Sequence, residues 1–310
     1  MRLATVRSAA GPRVALAVPG GWVDVADAAT ALLGDDACPS TLVGLLRRDG
    51  VALATARRLA AAFAGPQPGI VPVTPAARAR LGPPVVDAGA FLDFYAFEEH
   101  VTRARARRGL EVPPEWYRYP AYYRSNQRSF VGHRDEVYFP AGEARMDYEL
   151  ELAAVLGAPL DSPTPEQAAA AIAGFCLLND WSARSIQAEV MKVGLGPAKG
   201  KDFATSLGPW LVSADELGDP ALLTLEARVN GERWSRGRIA GMRWSFGELI
   251  AFAGEGVRFE AGDVFGSGTV GGGCGLELDR FLAPGDVVEL DGGPALGVLA
   301  NTVRQREGQQ

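Results

Sequence analysis

Short apolar runs broken by glycine and proline open the chain. Residues 2–6, 13–18 and 22–25 are apolar or alternating, and Gly11-Pro12 and Pro19-Gly20-Gly21 separate them. Turn residues between apolar runs of this length are typical of strands joined by tight turns. We therefore predict that the chain begins as a set of small strands.

A helical pattern follows these strands. Ser40 is the predicted N-cap of a helix over residues 41–48, and residues 51–64 have the composition and spacing of an amphipathic helix. Much later, Thr164–Gln167 combines a threonine N-cap, a proline at the first helical position and a glutamine at the third. This capping box predicts a further helix that ends near Gly174.

The last half of the chain is rich in predicted strands. Residues 175–179 predict a buried strand that delivers Asp180 at its end, before another helix. Further strands are predicted at 223–229, 287–290 and 297–303, with a hairpin turn at Asn230-Gly231 and a helix over 246–254. Many strands and few helices predict an α+β, strand-rich fold, a mixed β roll or sandwich rather than a doubly wound parallel sheet.

A Pro/Gly cluster at residues 65–69 is the predicted domain boundary. We expect a small N-terminal α/β domain over residues 1–70, in which no set of residues suggests chemistry. Residues 71–310 then form the working domain. A chain of 310 residues exceeds the usual single-domain size of roughly 100–200 residues, which agrees with this division.

Two carboxylates stand one residue apart in the apolar stretch 146–157. Because side chains alternate across a strand, Glu149 and Glu151 are predicted to point to the same side. Two anions held that close can face solvent, share a proton at a shifted pKa, or coordinate a hard cation. The pair alone leaves these three interpretations open.

Acidic and aromatic side chains dominate residues 85–100. Asp93 and His100 lie seven residues apart, so on a helix they would share a face. The arginine-rich segment 101–118 follows and is predicted to be a mobile or lid-like loop. Asp93 is thus a further carboxylate available to the Glu149–Glu151 pair, together with Asp180.

Composition limits the class of function. The net charge of −6 argues against a nucleic-acid surface, although the arginines between 103 and 128 form a local exception suited to an acidic small molecule. Cys38, Cys176 and Cys274 are odd in number and far apart, which indicates a reducing compartment. The start is not leader-like and no apolar run reaches about 18 residues, so we expect a cytoplasmic protein without membrane contact.

Five motifs occur in order between about residues 84 and 303. They are Asp93-Phe94-Tyr95 with His100, Asp147-Tyr148-Glu149-Leu150-Glu151, Asn179-Asp180-Trp181-Ser182-Ala183-Arg184, Gly200-Lys201-Asp202-Phe203 and Gly266-Ser267-Gly268-Thr269. Their order and spacing resemble the fumarylacetoacetate hydrolase family. The resemblance implies a mixed β-sandwich roll as catalytic domain, in a homodimer that binds Mg²⁺, with Ca²⁺ or Mn²⁺ as alternatives.

The resemblance also implies a role for individual residues, matched by motif position. The implied metal ligands are Asp93, Glu149, Glu151 and Asp180. His100 and Glu277 form the implied water-activating pair, and Lys201 is the third implied catalytic residue. The implied substrate contacts are Tyr123, Gln187 and Thr269, to which the arginine-rich segment adds Arg108 as a candidate.

These roles predict hydrolysis of a carbon–carbon bond in a 1,3-dicarbonyl acid of the fumarylacetoacetate or acylpyruvate type. A neutral imidazole can accept a proton from water, and the carboxylate behind it stabilises the imidazolium. Two alternatives stay open: 2-oxo-acid decarboxylation or enol–keto isomerisation on the same metal site, and binding of an anionic metabolite without turnover. The chain has Arg124-Ser125-Asn126 where fumarylacetoacetases proper have His-Gly-Arg, so the substrate is not identified.

Overall fold

The computed structural model of the protein describes residues 1–65 and 69–308. Its strands, in chain order, are β1 (Arg2–Ser8), β2 (Gly11–Val18), β3 (Gly21–Asp24), β4 (Val73–Pro75), β5 (Leu81–Gly82), β6 (Phe91–Phe94), β7 (Tyr122–Arg124), β8 (Phe130–Val131), β9 (Glu136–Phe139), β10 (Met146–Asp147), β11 (Leu150–Leu156), β12 (Leu160–Asp161), β13 (Ile172–Asp180), β14 (Ser182–Ala183), β15 (Thr205–Ser213), β16 (Thr224–Val229), β17 (Glu232–Arg238), β18 (Arg258–Phe259), β19 (Val264–Gly266), β20 (Val287–Asp291) and β21 (Val298–Gln305). The α-helices are α1 (Val25–Leu33), α2 (Leu42–Asp49), α3 (Ala54–Ala62), α4 (Glu98–Ala106), α5 (Pro165–Ala170), α6 (Arg184–Met191), α7 (Ala214–Leu217), α8 (Phe246–Gly254), α9 (Gly275–Leu278) and α10 (Gly293–Leu296).

Two large sheets organise most of these strands. In the described part of the chain the larger sheet has twelve strands, with the order β4-β3-β2-β1-β15-β13-β11-β19-β6-β7, while β5 pairs with β1 and β8 with β15. The second sheet has the order β17-β16-β20-β21-β9. Most pairs are antiparallel, but β8–β15, β6–β19 and β9–β21 are parallel. This arrangement confirms the predicted strand-rich α+β class and the mixed β-sandwich roll.

The central strands of the larger sheet are buried on both faces. On one face, Leu150 of β11 belongs to the same core as Leu290 of the second sheet. On the opposite face, Val155 of β11 packs in a core with Leu45 of α2 and Leu59 of α3. Burial on both faces explains why β11 and β13 are largely apolar instead of alternating, with the polar exceptions Glu151, Asn179 and Asp180 near the site.

The N-terminal segment is built into this architecture. β1 pairs with β15, with Leu3 opposite Leu211, so the first strands extend the larger sheet and α1–α3 cover one of its faces. Part of the predicted boundary, residues 66–68, lies outside the described residues. The division into domains at residue 70 stays a prediction.

Local signals predicted several elements and misplaced others. The hairpin turn Asn230-Gly231 joins β16 to β17, and α8 covers the helix predicted over 246–254. Ser40 is not the cap of α2, because Thr41 Oγ1 accepts the Gly44 N–H at 3.1 Å instead. The helix that begins with the capping box stops short of Gly174, because β13 begins earlier and pairs with β11.

One prediction around the arginine-rich segment is wrong, and one condition is not met. The helix on which Asp93 and His100 would share a face is not formed, since Asp93 lies on β6 and His100 on α4. Residues 101–118 are not a loop throughout, because α4 continues to Ala106 and an ion pair of 2.6 Å joins Glu99 to Arg103 one turn later.

None of the described helices has the length and apolar content that crossing a bilayer requires.

Candidate active site

A cavity of about 340 Å³ lies beside β6, β7, β13, α4 and α6. Nine of the predicted site residues line it: Asp93, His100, Arg108, Tyr123, Glu149, Asp180, Gln187, Lys201 and Thr269. The remaining two, Glu151 and Glu277, each contact a lining residue by a hydrogen bond. The fold therefore brings together all of the residues that the motifs singled out, from elements that are far apart in sequence.

Three strands of the larger sheet, β6, β11 and β13, position the carboxylates Asp93, Glu151 and Asp180. In the sheet, Asp93 of β6 is opposite Gly266 of β19, which in turn is opposite Ala153 of β11. Glu151 precedes Ala153 by two residues on the same strand, and Asp180 ends the neighbouring β13. Carboxylate oxygens of Asp93, Glu151 and Asp180 all lie within 4.8 Å of one another.

These three carboxylates are buried and incompletely satisfied. Asp93 Oδ1, Glu151 Oε2 and Asp180 Oδ1 have no hydrogen-bond partner among the described residues. Burial, followed by the neighbouring carboxylates, raises the pKa of Asp93 and that of Glu151 well above their usual ranges. Buried polar atoms are nearly always hydrogen-bonded, so three converging unpaired oxygens fit a hard divalent cation.

Gly266 leaves the room that this cluster occupies. A Cβ added there would overlap Asp93 Oδ1 and would lie 3.2 Å from Glu151 Oε2. The backbone of β19 can approach the carboxylates only because this position carries no side chain. The predicted ligands Asp93, Glu151 and Asp180 thus fit a metal by position, by burial and by unused oxygens.

Glu149 differs from the other three predicted ligands because both of its oxygens have cationic partners. Oε1 accepts from Arg184 at 2.7 Å, and Oε2 accepts from the Lys201 ammonium at 2.6 Å. Burial opposes ionisation of Glu149, but Lys201 and Arg184 outweigh it and hold the pKa of Glu149 below its usual range. Glu149 is on the cavity floor as predicted, and it forms ion pairs there.

Three further predicted residues, Lys201, Tyr123 and Thr269, donate hydrogen bonds to the carboxylates of the site. Lys201 also donates to Asp180 at 2.5 Å, and the Tyr123 hydroxyl donates to the same Asp180 oxygen at 2.7 Å. Thr269 Oγ1 donates to Glu151 at 3.2 Å. Gln187 faces the cavity from α6, and its carbonyl oxygen accepts from Arg184 at 3.0 Å.

His100 and Glu277 form a buried pair on one side of the cavity. His100 Nδ1 lies 2.6 Å from Glu277 Oε1, and the Gly272 N–H donates to Glu277 Oε2 at 2.8 Å. A carboxylate that accepts the Nδ1 proton selects the tautomer in which Nε2 is free to accept a proton. Because His100 lines the cavity, this geometry suits a general base.

Cys274 adjoins this pair and completes a second group of metal-binding residue types. Its Sγ is 3.5 Å from Glu277 Oε1 and 3.9 Å from His100 Nδ1. Burial raises the pKa of the Cys274 thiol well above its usual range, so the sulfur keeps its proton. The polar atoms of this group satisfy one another, in contrast with the unpaired oxygens of Asp93, Glu151 and Asp180.

Two buried residues of the site were given no role by the sequence. Arg184 donates to Asp147 at 2.8 Å as well as to Glu149, and Asp147 also accepts the backbone N–H groups of Gly275 and Leu276. Asp147 therefore connects Arg184 to α9, the short helix that carries Glu277. The alternation Asp147, Glu149, Glu151 was a signal that could have identified the first of these residues.

Known proteins resemble the chain in sequence over about two thirds of its length. The sequence profile of the fumarylacetoacetate (FAA) hydrolase C-terminal domain matches residues 90–304. The 2,4-didehydro-3-deoxy-L-rhamnonate hydrolase of Sphingomonas sp. (strain SKA58) is 31% identical over 214 residues, which cover 68% of this chain and 72% of that protein.

Solved structures share the fold along nearly the whole chain. Maleylpyruvate hydrolase from Sphingobium sp. SYK-6, crystallised with manganese(II) and pyruvate, has a TM-score of 0.74 at 22% identity. The 5-carboxymethyl-2-hydroxymuconate delta-isomerase from Mycobacterium smegmatis has a TM-score of 0.67, also at 22% identity. Each similarity covers 99% of this chain and 100% of the other, and at this identity it shows the fold alone.

Proposed function

The chain belongs to the fumarylacetoacetate hydrolase family, and from this premise we propose that it is a metal-dependent hydrolase of a carbon–carbon bond in a 1,3-dicarbonyl acid. Members of the family depend on a divalent metal. The observation that carries the proposal is that two groups of side chains lie at one cavity: three carboxylates with an unpaired oxygen each, and a His–Glu pair. The first suits a hard cation and the second suits activation of water.

Asp93, Glu151 and Asp180 are the proposed ligands of the metal, which we take to be Mg²⁺, with Mn²⁺ or Ca²⁺ as alternatives. Glu149 is available as a fourth ligand if substrate or metal displaces Arg184 or Lys201 from it. When bound, such an ion polarises the substrate oxygens and stabilises developing negative charge. Mg²⁺ usually retains water or substrate oxygen among its ligands, which suits a site with few protein oxygens.

The residues of the chain then perform the proton transfers. His100 Nε2 accepts a proton from water while Glu277 stabilises the imidazolium through Nδ1. The water oxygen bonds to a substrate carbonyl carbon, the carbon–carbon bond breaks, and its electron pair leaves as an enolate that takes up the proton held by His100 Nε2. Burial lowers the pKa of Lys201, but Asp180 and Glu149 outweigh this and keep it cationic, so it can stabilise an oxyanion.

Assay of acylpyruvates and fumarylacetoacetate for release of two acids tests the proposal. We expect turnover that EDTA abolishes, and its loss in His100→Ala. His133→Ala is the matched control, because His133 is the other histidine of the chain and does not line this cavity. Full activity in His100→Ala would contradict the mechanism.

The implied homodimer is a separate proposal, for which light scattering should give twice the chain mass of 32.7 kDa.

A further inference from the structure

The cavity walls carry more positive charge than the carboxylates of the site neutralise. Arg184 and Lys201 are paired with Asp147, Glu149 and Asp180. Three other arginines line the cavity without any ion pair to a carboxylate in the described part of the chain: Arg105, Arg108 and Arg145. Cationic groups around an enclosed space raise the local concentration of anions.

These three arginines are not equivalent. Arg105 donates through Nε to the Glu111 carbonyl at 2.5 Å, and Arg108 donates through Nε to the Ala104 carbonyl at 3.2 Å and contacts Met191 Sδ at 3.8 Å. No side-chain hydrogen bond involves the guanidinium of Arg145 among the described residues. Arg145 thus retains the complete fork of N–H donors that binds a carboxylate in a bidentate manner.

Arg145 is nevertheless held in a defined place. Its guanidinium lies over the Phe281 ring at 4.5 Å, a contact that orients the planar group. The backbone N–H of Arg145 donates to the buried carboxylate of Glu143 at 2.7 Å, and its backbone carbonyl accepts the backbone N–H of Arg184 at 3.1 Å. Main-chain and side-chain contacts therefore fix this arginine beside the element that carries Arg184 and Gln187.

Arg145 is exposed, whereas the carboxylates of Asp93, Glu149 and Asp180 that line the same cavity are buried. Among the side chains that line the cavity, Ala188, Met191 and Leu276 offer no hydrogen-bonding group except the weakly accepting sulfur. A substrate that fills the cavity therefore meets buried carboxylates at its inner end, some apolar side chains along the wall and the exposed guanidinium of Arg145 at the rim.

We propose that Arg145 is a specificity-determining residue that binds a second carboxylate at the far end of the substrate. This inference rests on the proposed function and narrows it, because the substrate is then a dicarboxylate: a 1,3-dicarbonyl acid with its reacting end at the buried carboxylates and a terminal carboxylate at the rim. A substrate with an uncharged end would leave the Arg145 donors to water.

Paired substrates test the proposal on the Mg²⁺-loaded enzyme. One is a 2,4-dioxo acid that ends in a carboxylate, and the other has the same length and ends in a primary amide. We expect wild type to prefer the dicarboxylate, and Arg145→Gln to lower its kcat/KM about 10- to 100-fold, the worth of a hydrogen bond to a charged group. The kcat/KM of the amide should change less than threefold, and Arg145→Lys should retain an intermediate preference.

Arg258→Gln is the matched control, since this arginine pairs with Glu260 and does not line the cavity. Equal losses on both substrates in Arg145→Gln, or no preference in wild type, would overturn the role of Arg145 while leaving the proposed function intact. If neither compound is turned over, the proposed function is contradicted. Calorimetric dissociation constants of the two compounds with Mn²⁺ would then still decide whether Arg145 selects the carboxylate.

Discussion

At the scale of single residues, Glu149 and Glu151 show how position decides the chemistry of one side-chain type. They lie two residues apart, yet the pKa of Glu149 is lowered and that of Glu151 is raised well above its usual range. Both are buried, and the difference comes from their neighbours, because cations contact Glu149 whereas carboxylates surround Glu151. The pair that looked equivalent in sequence divides into an ion-paired member and a proposed metal ligand.

Glu277→Gln tests the proposed base at this scale. The amide keeps the size of the side chain but cannot stabilise an imidazolium by charge, so we expect kcat to fall about 100-fold or more. Mn²⁺ affinity should stay within twofold of wild type, because Glu277 is not a proposed ligand and both of its oxygens already have hydrogen-bond partners. A variant that retained kcat within threefold would show that the His–Glu pair does not activate water.

Gly266→Ala tests the metal cluster without removing a ligand. The added methyl group must displace the carboxylate of Asp93, so we expect Mn²⁺ binding, followed by electron paramagnetic resonance, to weaken at least tenfold, as for other disturbances of groups that orient metal ligands. Gly65→Ala is the control, since no atom of the described residues lies within 4 Å of a Cβ there. Equal affinity in the two variants would remove Asp93 from the proposed site.

At the scale of elements, α6 has an unusual N-terminus. Ala183 at the N-cap provides no side-chain acceptor, and the carboxylate of Glu143 instead accepts the N–H groups of Ser185 at 3.1 Å and Ile186 at 3.2 Å. Glu143 is only 2% exposed, so these bonds are sheltered from water. A residue distant in sequence thus caps the helix that presents Arg184 and Gln187 to the cavity.

Glu143→Ala should therefore affect both stability and activity. Loss of a helix cap costs about 1 kcal/mol of unfolding free energy, measured in urea, and the displacement of α6 should lower kcat/KM about tenfold or more. Ser245→Ala removes the cap of α8, which does not line the cavity, and should cost similar stability without loss of activity. If both variants kept full activity, Glu143 would have no role in positioning the site.

Elements with local signals were predictable from the sequence. The capping box before α5 and the Asn-Gly turn between β16 and β17 depend on neighbours within a few residues, and both are found. The end of α5 and the helical state of residues 101–106 were missed, because pairing with β11 and ion pairs on α4 decide them. The cap of α6 had no local signal, since Glu143 lies 42 residues from Ser185.

At the scale of the whole molecule, the site depends on three packed layers. Helices α1–α3 cover one face of the larger sheet and the second sheet covers the other, so β11 and β13 are held from both sides. Functional groups on central strands are placed more precisely than groups on loops. The N-terminal segment, which the sequence linked to no chemistry, thus supports the strands that carry Glu151 and Asp180.

Most of the site was predictable only through the resemblance to a family. His100 and Glu277 are 177 residues apart, and no pattern of hydrophobicity or spacing relates them. The Glu149–Glu151 alternation did predict a shared face, and its buried position then excluded the solvent interpretation. The ion pairs of Glu149 and the free guanidinium of Arg145 depend on three-dimensional packing, which the sequence does not display.

The dependence of stability on pH provides a prediction for the whole protein. The raised pKa values of Asp93 and Glu151 mean that the folded protein without metal keeps protons that the unfolded chain has released. This contribution to stability is complete below the ordinary carboxyl pKa of about 4 and is lost as pH rises through the folded pKa values.

Metal binding requires these carboxylates in the ionised form, so Mn²⁺ should stabilise the protein more at high pH. Thermal unfolding at pH 5.5 and pH 8 should show a larger Mn²⁺-induced rise in Tm at pH 8. At a metal concentration 100 times Kd, binding raises the free energy of unfolding by about 2.7 kcal/mol. A rise of equal size at both pH values, or the same rise in Asp93→Asn, would contradict the proposed ligand set.

The most direct test of the central claim is the fate of the oxygen of water. Turnover of an acylpyruvate in H₂¹⁸O by the Mg²⁺-loaded protein, followed by mass spectrometry of both products, separates hydrolysis from the other reactions of a 2-oxo acid. Water attack through His100 predicts one ¹⁸O atom in the newly formed carboxylate for every bond cleaved. Release of CO₂, or an isomerised acid without label in any carboxylate, would contradict hydrolysis and assign the metal site to a different reaction.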